Sequence, residues 1–228
     1  MTTVRKRATK LTKAEQNRFK DVITQLINNG TYGQLVGRHA DMSHNMHSMN
    51  SVGRQRFLPW HRVYLLRLEQ AMQTIDPSCF IPYWDWTSQK KIPAFLKSFL
   101  PSVNVPGEGE IQITRNIGNP PSLPSKADIK SVYSETTYTD FTTQLEFVHN
   151  GVHGWVGGTM SLIPTAPADP VFWLHHAQVD RIWSIWQSKP PNAGKHPTLS
   201  ANNKIMDPWT EKEEDTRSIE KLDYSYGK

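Results

Sequence analysis

The chain has a single cysteine, Cys79, in 228 residues, so no internal disulfide can form. Cysteine-based zinc and iron–sulfur centres are excluded with it. A reducing compartment, or a fold that needs no staple, is expected. No apolar run approaches the length of about 18 residues that a membrane-spanning helix requires. The opening stretch, MTTVRKRATKLTKAEQ, has no apolar core, so no secretory signal is read there. The expected location is cytoplasmic, or exported without a recognisable signal peptide. No Ser/Gly linker or low-complexity run divides the chain, and residues 1–228 read as one domain with a sizeable core. Neither sign of charge dominates: the net charge is +5, and much of the excess is local, in Arg5, Lys6, Arg7, Lys10 and Lys13. That cluster reads as a solvated terminus rather than an arm for nucleic acid, so neither nucleic acid nor membrane is an expected partner.

Tryptophan and histidine are what the chain has in place of cysteine. Eight tryptophans supply large buried area per residue. Eight of the nine histidines fall into two groups, each beside a helix-like segment rich in tryptophan. In the second group, His149 and His153 are four residues apart, which puts both imidazoles on one helical face. Asp169 and Pro170 then stand as N-cap and first residue of another helix, which carries His175 and His176, with Asp180 one turn beyond. In the first group, His39, His44 and His47 precede His61, which follows FLPW. One mononuclear site would leave half of these imidazoles unexplained. Neutral imidazole suits copper, zinc, iron and nickel. No HExxH helix supports a zinc protease. Two three-imidazole ions sharing one site is two-metal geometry, and with imidazole alone it favours a copper pair.

Helix signals surround these groups. Thr12-x-x-Glu15 is a capping box, Phe19, Val22, Ile23, Leu26 and Ile27 keep a helical period, and Gly30 ends it. A shorter helix is expected near 32–39, and loop with helical turns over 40–56. Pro59 is expected to open the helix that Asp76-Pro77 closes. A short β-pair is expected around GEIQITR, a short helix from Ser125 to Tyr133, and a helix from Thr139 to His149 and beyond. The fold class is mainly α with long loops and little β.

The segments FLPWHRVYLLRLEQ, PYWDWT, VHNGVHGWVGG and PTAPADPVFWLHHAQVDRIW, with the closing Tyr224-x-Tyr226, resemble the tyrosinases, the type-3 dicopper family that includes catechol oxidases and molluscan haemocyanin units. The resemblance implies a four-helix bundle holding two copper ions, three imidazoles on each, with O2 as co-substrate. It places His149, His153 and His176 on one copper, and His61 and His39 on the other. The remaining ligand is expected to be His47, with His44 as the alternative, because the family's usual position falls here on Val52. His175 is expected to be buried and hydrogen-bonded, His196 to lie in solvent, and Asp180 to orient an imidazole from behind.

The same resemblance implies hydroxylation of monophenols to ortho-diphenols and their oxidation to ortho-quinones. Glu146 and Asn150 are the residues expected to hold a water that activates the phenol. Gly154, Ile163 and Phe172 are expected at the substrate entrance. Small phenols are the expected partners, and any copper-delivery protein would be a separate chain. A diphenol-only catechol oxidase or ortho-aminophenol oxidase, haemocyanin-like O2 binding and a zinc-loaded hydrolase stand as alternatives.

Overall fold

A computed structural model describes residues 2–227, and these are mainly helical. Strand β1 (Thr3–Arg5) leads to helices α1 (Lys13–Asn28), α2 (Thr31–Ala40) and α3 (Ser51–Ile75). A β-hairpin of β2 (Ser102–Val105) and β3 (Gly109–Gln112) precedes α4 (Lys126–Ser134), α5 (Tyr138–Val156) and α6 (Pro170–Gln187). Strand β4 (Tyr224–Tyr226) closes the chain by pairing with β1 in parallel, Thr3 opposite Tyr224.

The expected caps of α1 and α6 form, and α4 adds a box that the sequence reading did not name. Thr12 and Glu15 form a reciprocal box at the start of α1, Ser125 and Asp128 another at α4, and the Asp169 carboxylate accepts the Val171 N–H at α6. The cap of α5 is Thr137, two residues before the expected start.

Helix α3 departs furthest from expectation. It begins at Ser51, capped by Asn50, and Pro59 lies inside it rather than at its first turn. A proline there removes the N–H that would bond the carbonyl four residues back. That carbonyl, on Gln55, accepts instead from the Tyr138 hydroxyl of α5 at 3.1 Å, so the exposed acceptor becomes a helix–helix tie. Thr142 makes a second tie to the Arg54 carbonyl. The middle of α3 is buried on every side, from Phe57 to Leu65, which is what a central helix requires. Helices α1, α2, α5 and α6 all pack against it.

The basic N-terminus is solvated only in part: Lys10 and Lys13 are exposed, but Arg5 is not. Arg5 is 0% exposed and donates to both Glu69 oxygens from Nε at 3.3 and 3.1 Å. Its Nη1 approaches Asp180 at 3.5 Å. Lys6 pairs with Glu15 and Arg7 with Asp85. Asp180, expected behind an imidazole, instead accepts from Arg62 Nε at 2.5 Å and from the Tyr224 and Tyr226 hydroxyls at 2.7 and 2.6 Å. Burial would raise its pKa, but Arg62, Arg5 and the Tyr226 hydroxyl outweigh burial and hold it below the usual carboxylate range. One buried network thus joins β1, α3, α6 and β4.

Removing one member of such a network leaves its partner charged and buried. Arg5→Met is expected to cost about 3–5 kcal/mol of unfolding free energy. Urea unfolding followed by tryptophan fluorescence measures it, and a loss below about 1 kcal/mol would show that the terminus is dispensable.

Candidate metal centre

Two groups of imidazoles converge inside the bundle: His39, His47 and His61, and His149, His153, His175 and His176. His39 comes from the last turn of α2, His61 from α3, His149 and His153 from α5, and His175 and His176 from α6. His47 stands on the loop before α3. Gly53 lets that loop lie against α3, since a Cβ there would fall 1.9 Å from the His47 carbonyl oxygen.

The ring protons are assigned by what surrounds them. Nδ1 of His39 donates to the Ile163 carbonyl at 2.9 Å, His61 to Phe57 at 2.8 Å, and His153 to Met160 at 2.7 Å. His149 Nδ1 donates to Asn150 Oδ1 at 3.1 Å. Neutral imidazole carries one proton, so each of these rings turns an Nε2 lone pair inward. In the first group His39 Nε2 lies 3.3 Å from His47 Nε2 and 3.4 Å from His61 Nε2. In the second, His149 Nε2 lies 3.1 Å from His176 Nε2 and 2.9 Å from His153 Nε2. Lone pairs so close repel unless a cation lies between them. Nitrogens bound at 2.0–2.1 Å around a tetrahedral ion are ~3.3 Å apart, so the donor sets fit two metal ions. The groups adjoin, with His61 stacked on His176 at 4.4 Å.

His44 is turned away from this centre. Its Nδ1 meets Asp207 Oδ2 at 2.7 Å and its ring stacks on Trp60. His175 lies flat on His149 at 4.9 Å, and Trp86 Nε1–H donates to its Nδ1 at 3.1 Å, which puts the ring proton on Nε2. Without a lone pair to offer, it is the odd member of its group. His196 is half-buried rather than solvated.

A cavity of about 390 Å³ opens beside the imidazoles. Glu146, Asn150, Gly154 and Ile163 line it, together with Ser48, Met49, Met160, Ser161 and Ala166. These last five carry no sequence signal, because two connections far apart in the chain, the one before α3 and the one between α5 and α6, bring them together. Phe172 is absent from the wall. It is fully buried and stacks beneath His176 at 4.0 Å, as its place in the first turn of the enclosed helix α6 demands. Glu146 accepts the Ser48 N–H on Oε1 at 3.0 Å, while its buried Oε2 has no partner.

Burial holds the imidazoles of His39, His61, His149, His175 and His176 well below the usual histidine range, and His153 at about 4. In the unfolded chain they titrate near ~6.5. Between those values the unfolded chain binds protons that the folded chain refuses, so stability falls as the pH is lowered. Metal-free protein is expected to be most stable near pH ~8, to lose a little by ~7 and to weaken steadily from ~6.5 towards ~4. Urea unfolding across that range measures it, and a flat profile would contradict the buried neutral rings. Separately, His47→Ala should lower bound copper from two ions to one per chain, and His44→Ala should leave two. Metal analysis by mass spectrometry reads this, and the reverse result would exchange their places.

The common central domain of tyrosinase, as a family model, matches residues 29–119 and 107–189. The chain is 33% identical to the tyrosinase of Streptomyces glaucescens over 98% of its own length and 97% of that protein. It is also 33% identical to hemocyanin units G and H of Sepia officinalis, over 91% of this chain and 42% of that one. A functional unit of octopus hemocyanin shares the fold at a TM-score of 0.80, with 24% identity, covering 99% of this chain and 68% of that one. The matched segments contain both imidazole groups that the structure brings together, and the chain belongs to the tyrosinase family.

Proposed function

We infer that the protein oxidises phenols with O2, hydroxylating monophenols to ortho-diphenols and taking these on to ortho-quinones. One monophenol and one O2 then give one quinone and one water. His39, His47 and His61 would hold one copper ion, and His149, His153 and His176 the other. Bound there, the copper pair supplies the exchange of two electrons with O2.

The observation that carries the monophenol step is the Glu146 carboxylate. Its Oε1 is taken by the Ser48 amide, and its Oε2 is buried in the cavity wall without a partner. A carboxylate held in this way can accept a proton from a water molecule. Asn150, one turn along the same face of α5, spends its carbonyl on His149 Nδ1 and keeps its NH2 to hold that water. A phenol loses its proton only near pH ~10 in water, so a monophenol needs this base. A catechol, with two acidic hydroxyls, needs it much less. Gly154, Met160, Ile163 and Ala166 give the cavity small and aliphatic walls, which suit a flat ring. An open cavity at the imidazoles also favours oxidation of a substrate over simple carriage of O2.

Glu146→Gln keeps the shape and removes the base. Monophenol-dependent O2 uptake is expected to fall ~100-fold, within the range typical of general-base loss, with catechol oxidation little changed. Rates measured with tyramine and its matching catechol decide this. Equal losses on both substrates would refute the base. If the unaltered protein takes up O2 with the catechol alone, the diphenol-only reading holds instead.

A further inference from the structure

A second concavity lies away from the imidazoles, a cleft of about 530 Å³ between α4 and α6. Helix α4 presents Lys126, Ile129, Lys130 and Tyr133 to it, and α6 presents Gln178, Arg181, Ile182 and Ile185. Both sets follow the i, i+3, i+4, i+7 spacing of one helical face. Ile129 and Ile182 are buried and make an apolar floor beside the Tyr133 ring. Lys126, Lys130, Arg181 and Lys189 stand at the edge, and among the described residues none of the four forms an ion pair with a carboxylate. The one carboxylate in the wall, Asp85, is neutralised by Arg7 at 3.2 Å and accepts from the Thr87 and Ser88 hydroxyls. Lys189 is held over Tyr133, its Nζ 4.3 Å from the ring centre. The cleft therefore combines a flat apolar surface with unbalanced positive charge.

Gln178 gives an independent sign of a ligand. It is 2% exposed, it lines the cleft, and its Oε1 is buried with no hydrogen-bond partner. An acceptor left so costs free energy that a donor from a bound molecule would recover. The phenol-oxidising centre makes no use of Gln178 or of the four cations.

We propose that this cleft binds a flat aromatic acid that carries an N–H or O–H donor. The ring lies on the isoleucines beside Tyr133, whose face Lys189 covers, the carboxylate or sulfonate sits among the four cations, and the donor meets the Gln178 side-chain amide at the cleft wall. A pocket of this size holds a molecule of one or two fused rings. The test uses copper-loaded protein and indole-5-carboxylate, a flat acid with a ring N–H that is not a phenol, with binding measured by calorimetry. Indole-5-carboxamide, which lacks the charge, is expected to bind about tenfold more weakly or not at all. The double variant Lys126→Gln with Lys130→Gln should lose a similar factor while oxidising catechol at the original rate, which shows that it is folded. Gln178→Leu should weaken the indole acid more than 2-naphthoate, which has no donor. Equal binding of the acid and its amide, or undiminished binding by the lysine double variant, would overturn the proposal, since the acid would then be held elsewhere, the copper cavity included.

Discussion

Unprotonated imidazole nitrogens pointed at two common centres set the terms for the rest of this molecule. Such lone pairs can be gathered only if every ring is denied the chance to turn its N–H inward. The fold arranges this for four of the six rings with acceptors placed behind them, the carbonyls of Ile163, Phe57 and Met160 and the Asn150 side chain, while His47 Nδ1 lies 3.7 Å from Glu146 and His176 Nδ1 is buried without a partner. Two of those carbonyls come from the segment after α5, and their positions depend on where that helix stops. It ends at Gly157, whose φ of +67° a side chain would resist and whose Cβ would meet the Asn116 carbonyl oxygen at 2.7 Å. The short turn that follows then sets Met160 behind His153. The end of one helix is thus part of the metal chemistry.

Four helices must also stay in register, and the means are kept apart from the imidazoles. Asp180, with Arg62, Arg5 and the two closing tyrosines, ties α3 and α6 to both chain ends. Asp169 does the same at the other end of α6, where Arg115 donates to both of its oxygens at 2.6 and 2.7 Å. Between these two anchors His176 has little freedom to move. Buried charge is costly unless fully paired, and here the pairing fixes helix positions without drawing on any metal ligand.

Helix α6 shows how one enclosed helix can serve several surfaces. Phe172 and His176 face the imidazole cluster, Asp180 faces the charge network, and Gln178, Arg181, Ile182 and Ile185 face the cleft shared with α4. Successive residues turn by about 100°, so neighbouring positions in the sequence belong to different sites. His175 and His176 illustrate this: one ring receives the Trp86 indole proton, and the other turns its lone pair to His149.

Much of the centre was legible from local rules. Spacing put His149 and His153 on one face, Asp169 and Pro170 announced α6, and the capping box of α1 was readable because it involves residues three apart. The choice between His44 and His47 was not local. It depends on Gly53 allowing the loop onto α3 and on Asp207, far along the chain, engaging His44. Pro59 misled for a similar reason, since the acceptor it exposes is satisfied by Tyr138 from another helix. The basic terminus misled because the partners that bury Arg5 lie in α3 and α6. Sequence alone therefore determined which residue types could bind metal and which helices carry most of them, because caps and helical period act over a few residues. Tertiary structure decided which imidazoles meet, where Asp180 points and which loops wall the cavity, because those outcomes rest on contacts between segments that only the packed bundle brings together.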